Sequence, residues 1–140
     1  MNGPTLNRIC LATAALLGLL NLTTGLFMLA SPADWYLAAP GVTSTGPLNL
    51  HFVRDIGLTF VLLGSAMLVG IVRVAARPYL WSVAAIWLAG HALFHFWEVA
   101  VGICGPSALA RDFLGVTLPA IIAALLAGWS VAVQRLAKKV

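Results

Sequence analysis

The stretch from Phe52 to Val72 reads FVRDIGLTFVLLGSAMLVGIV. After the single Arg54–Asp55 pair it carries no charge, and it shows no strict alternation of apolar and polar residues. Crossing a bilayer as a helix takes about 20 apolar residues, and this stretch meets that length. Three others match it, from about Ile9 to Ala30, Tyr79 to Ile103 and Gly115 to Val133. None has the period of two expected of a β-barrel strand. The sequence therefore predicts an all-α integral membrane protein, with one membrane domain over residues 1–140. Its fold is a four-transmembrane-helix bundle with spans at about 9–30, 52–72, 79–103 and 115–133.

Composition leads to the same class. Of 140 residues, 61% are hydrophobic and 9% charged, and the mean hydropathy is +1.00. Soluble domains carry about 25% charged residues, and a small domain leaves much of its area exposed. A soluble enzyme, a nucleic-acid binder and a secreted disulfide scaffold are excluded on this ground. The first apolar segment has Arg8 ahead of it, as a signal peptide would. Its length and the Pro32 just beyond the plausible cleavage zone Leu29-Ala30-Ser31 instead predict a retained helix.

Orientation follows from lysine and arginine. Arg8, Arg73, Arg77, Arg135, Lys138 and Lys139 fall on one side, and Arg54 and Arg111 on the other, each of these followed by an aspartate. Both termini are expected in the cytoplasm. The net charge of +4 then reflects topology and implies no nucleic-acid partner. Cys10 and Cys104 fall at opposite membrane faces, too far apart for an intrachain disulfide.

In the first outer loop, Ser31-Pro32-Ala33-Asp34 has the form of a helix start. Trp35 and Tyr36 follow, so a short interfacial helix is expected there. Gly41 to Pro47 is rich in turn residues, and Asn49 is a candidate cap for the next helix. Two segments also echo each other. Gly46-Pro47 precedes Arg54-Asp55-Ile56-Gly57-Leu58-Thr59, and Gly105-Pro106 precedes Arg111-Asp112-Phe113-Leu114-Gly115-Val116-Thr117. This pattern suggests a duplicated helical hairpin about an axis along the membrane normal. It further predicts cross-pairs of Arg54 with Asp112 and Arg111 with Asp55 at the outer rim. Small residues at Ala14 and Gly18, and at Ala120, Ala124 and Gly128, are expected at helix contacts or in a homo-oligomer interface.

Ionisable residues inside a bilayer are costly and mark functional sites. The third span contains Gly90-His91-Ala92-Leu93-Phe94-His95-Phe96-Trp97-Glu98. His91, His95 and Glu98 share one helix face, within an arc of roughly 60°. His51 and Asp55 likewise share a face of the second span. With a rise of about 1.5 Å per residue, Asp55 and His95 both lie roughly 24 Å from the cytoplasmic side. His51 and Glu98 lie at roughly 30 and 28 Å. Asn21 and Thr24 of the first span sit at similar depth.

Three imidazoles and two carboxylates are typical ligands of a transition metal ion such as copper, zinc or iron. The expected metal set is His51, Asp55, His91, His95 and Glu98. Arg54, Arg111, Asp112, Asn21 and Thr24 are then supporting or ion-pair residues. The expected use is redox or lipophilic-substrate chemistry. Haem is disfavoured between helices joined by so short a link, and remains open only between two chains. A quinone site is a further alternative, with Trp87, Phe94, Phe96 and Trp97 as an aromatic wall. The competing class is an accessory subunit of a larger membrane complex, whose polar residues only join helices. The stretch around His51 resembles segments of small bacterial membrane proteins, which implies a bacterial cytoplasmic (inner) membrane.

Overall fold

The computed structural model of the chain describes residues 3–138. Lys139, which contributes to the expected positive side, lies outside the described residues. Helix α1 (Gly3–Ala30) leads into a short α2 (Pro32–Ala38) and a 3-10 turn at Val42–Ser44. Then come α3 (Leu50–Val72), α4 (Arg77–Ala100), a short α5 (Ser107–Asp112), a π-helical turn over Phe113–Thr117, and α6 (Leu118–Ala137). Among the described residues there is no strand. Four helices are long and apolar enough to cross a membrane, the fourth running continuously from Ser107 to Ala137. Their outward faces carry residues such as Leu62, Ile86 and Leu125, all largely exposed. So extensive an apolar exterior belongs in lipid.

Local chemistry accounts for the boundaries. The side-chain oxygen of Asn49 accepts the Phe52 amide at 3.1 Å, the expected cap, and α3 starts at Leu50. Ser31 precedes Pro32 at the start of α2, but its hydroxyl makes no capping bond. Helix α4 stops at Ala100, short of the expected Ile103, because Gly102 adopts a left-handed φ of 80°. The Ile103 amide then donates to the Glu98 carbonyl at 2.9 Å, and the Gly102 amide to Val99 at 3.2 Å. These two bonds form a Schellman cap. The π turn has a sequence cause as well. Pro119 has no N–H to donate to the carbonyl of Gly115, and the Leu118 amide reaches back to Phe113 instead.

Helix α1 packs most extensively on α3, α4 next on α6, and α3 less on α4. Glycines bring α1 and α3 together. A Cβ on Gly25 would stand 2.5 Å from the Gly57 carbonyl oxygen, and one on Gly64 2.5 Å from the Leu22 amide nitrogen. Such close approach lets backbones pack where lipid supplies no hydrophobic drive. In α6 the buried small residues are Ala120, Ala123, Ala127 and Ser130, whereas Ala124 and Gly128 face outward. The expected row is thus displaced around the helix; the small face meets α4 and leaves Ile121 and Leu125 outside.

The end of the bundle at the α3–α4 turn is closed. Trp81 is fully buried and donates from its indole to the Met67 carbonyl at 3.0 Å. Arg77 is buried too, donating to the carbonyls of Gly70 (2.7 Å) and Ile71 (2.9 Å). Its guanidinium also lies 5.4 Å from the Trp81 ring and 5.8 Å from that of Trp129. At the opposite end the packing loosens: α4 has no buried residue beyond Ala92. A cleft opens there.

Candidate functional site

Two adjoining cavities, of about 460 Å³ and 750 Å³, share a wall that includes Met28, Trp35, Ile56, His91, His95, Arg111 and Asp112. The first reaches the loop end of the bundle, along Tyr36, Phe52, Trp87, Phe94, Glu98 and Cys104. The second runs down beside α1 and α6, past Leu17, Asn21, Thr24, Phe60, Leu114 and Pro119. The shape is that of a mostly apolar cleft with a small polar cluster, as small-molecule sites are built.

Aromatic rings line its α4 side in sequence. Trp87 meets Phe60 edge-on at 5.3 Å between ring centroids and stacks on His91 at 5.1 Å. His91 meets His95 edge-on at 4.8 Å. Residues 87, 91 and 95 are each four apart, so one face of α4 presents all three. Phe94 also lines the cleft, whereas Phe96 and Trp97 line neither cavity and are exposed.

The polar cluster is held by three side chains. Nδ1 of His95 lies 2.9 Å from one carboxylate oxygen of Asp112. Arg111 donates from Nε to the other oxygen at 2.7 Å, and from a terminal nitrogen to the first at 3.1 Å. All three side chains are at least two-thirds shielded, where such a two-point contact is stronger than at an open surface. The loop before α3 fixes the guanidinium from above. Gly41 has a φ of 82°, and a Cβ there would run into Arg111. Tyr36 ties the same loop by donating its hydroxyl to the Gly46 carbonyl at 2.6 Å. Arg111 and Asp112 stand directly before the π turn, an irregularity frequent at functional sites.

The structure divides the expected ligand set. His91, His95 and Glu98 share the cleft. His51 and Asp55 line neither cavity; they face one another at 3.2 Å on the exposed start of α3. Among the described residues, no three His, Cys, Asp or Glu side chains are grouped to hold a metal ion. The carboxylate that meets His95 is Asp112 of α5, in place of the expected Asp55. The cross-pairs expected at the rim do not form either: Arg111 binds its neighbour Asp112, and Arg54 reaches the Leu29 carbonyl at 3.4 Å. The physical reason is the packing order. Helix α3 commits its glycine face to α1, and the end of α4 is closer to α5 and α6. Asn21 and Thr24 do reach the cleft wall, although the Asn21 amide donates to Leu17 of its own helix at 2.8 Å.

Asp112, expected as an ion-pair residue, does pair, but with Arg111 and His95 rather than with Arg54. The antiparallel logic that set α3 beside α4 applies equally to the short Gly102–Pro106 link, which puts the start of α5 level with the end of α4. Comparison with protein-family models, with curated proteins and with solved structures finds no match to this chain.

Proposed function

We propose that this small membrane protein binds a lipid-soluble molecule in the cleft, with an apolar body along Trp87, Phe94 and Phe60 and a polar head at His95. The observation that carries this reading is the joining of an aromatic-walled cleft to the His95–Asp112–Arg111 cluster. Ionisable groups in such a setting are expensive to keep unless they serve a site. Retention of copper, zinc or iron draws less support, because its expected ligands stand in separate groups. The distribution of lysine and arginine supports an orientation with the cleft away from the cytoplasm.

The test is a quenching titration in nanodiscs with brominated alkylbenzenes carrying hydroxyl or carbonyl heads. Trp87 and Trp35 report on the cleft. Saturable quenching is expected in the wild type, weakened at least about tenfold in Ile56→Phe, which narrows the shared wall. Quenching that never saturates, or that is identical in Ile56→Phe, describes partition into lipid and contradicts the reading.

A further inference from the structure

The His95–Asp112–Arg111 geometry also specifies the hydrogen-bonding sense of the head group. This inference rests on the ligand-binding reading above. Asp112 faces the guanidinium with both oxygens, and a carboxylate has only acceptor atoms. The 2.9 Å contact to Nδ1 of His95 is therefore a hydrogen bond only if Nδ1 carries the proton. The contact to Asp112 thus fixes Nδ1 as the nitrogen that carries the proton, and in the neutral ring Nε2 is a lone-pair acceptor.

That acceptor is unsatisfied within the described residues. Nε2 of His95 has no protein partner, nor has either nitrogen of His91. Among the described residues no buried side-chain nitrogen or oxygen lacks a partner, so these atoms are accessible, on residues that line the cleft. Neutral His91 offers one donor and one acceptor and selects neither sense. His95 offers only an acceptor. We propose that the cleft takes a neutral lipid-soluble molecule with a hydroxyl head of the phenol or quinol class, whose O–H is donated to Nε2 of His95. The aromatic body of that class suits the Trp87 and Phe94 faces. A carbonyl or ether oxygen would meet the His95 lone pair with its own.

Two measurements test this on the full chain in nanodiscs. The first is long-range 1H–15N correlation of histidine-labelled protein, with the His95 signals identified by their loss in His95→Gln. The expected pattern is a neutral ring protonated at Nδ1. A ring protonated at Nε2, alone or together with Nδ1, overturns the proposal without any other variant.

The second compares a 4-alkylphenol with its methyl ether and with an alkyl phenyl ketone of equal length. The phenol is expected to bind at least about tenfold more tightly than either. In His95→Leu the Nε2 acceptor is removed while the apolar wall is kept. The phenol is then expected to lose its advantage over the ether and the ketone. Equal saturable binding of all three by the wild type, or an unchanged order in His95→Leu, overturns the hydroxyl assignment and leaves the ligand reading standing. No saturable binding of any of the three overturns both.

Discussion

Residues alike in sequence do different work here. His51 and Asp55 pair across one helical turn, but their side chains are 89% and 61% exposed. An exposed pair of this kind contributes little. His51→Ala is expected to change stability by less than about 0.5 kcal/mol and to leave probe binding unaltered; unfolding in mixed detergent and the quenching titration check both. Arg77 is the opposite case. Its guanidinium supplies hydrogen bonds to the last carbonyls of α3 and sits against Trp81 and Trp129. Arg77→Ala leaves those carbonyls without their partner and is expected to cost about 2–3 kcal/mol, read as a shift in the same unfolding curve. Arg77→Lys restores the charge but not the fork of donors, and recovers only part of the loss. Spacing alone made His91, His95 and Glu98 legible as one face of a helix. It did not reveal which carboxylate would meet them, because helical rise matches Asp55 to His95 in depth and only the tertiary packing brings Asp112 there instead.

Each long helix was legible as an element because its apolar run is continuous and its ends carry recognisable signals. Asn49 acts as read, and Gly102 ends α4 by a left-handed turn. The packing faces were less legible. Small residues recur all around these helices, so a row of them does not announce which side meets a neighbour. The glycines of α1 and α3 make a direct test. Gly25→Ala forces a methyl against the Gly57 carbonyl, and the strain of overpacking is expected to cost about 1–3 kcal/mol. Gly128→Ala enters open space on α6 and is expected to be neutral or slightly stabilising through helix propensity. If the two variants unfold alike, the close α1–α3 contact is wrong.

At the scale of the molecule, a bundle closed at one end by Trp81 and Arg77 and loosened at the other explains where a cleft can exist. Four spans require Cys10 and Cys104, both free thiols, to stand near opposite membrane faces. Together with the lysine and arginine distribution, this predicts that an impermeant thiol reagent added to intact cells modifies Cys104 and spares Cys10. The reverse pattern in cells would invert the orientation, and labelling of both from one side would refute the span count. The proposed ligand is a lipid-soluble molecule that occupies the cleft with its head at His95. The most direct measurement is anomalous scattering from crystals grown with a ring-brominated 4-alkylphenol. The predicted result is a bromine peak between Trp87 and Phe94, with the hydroxyl about 2.7–3.0 Å from Nε2 of His95. Bromine found only along the lipid-facing surfaces of the helices would contradict it.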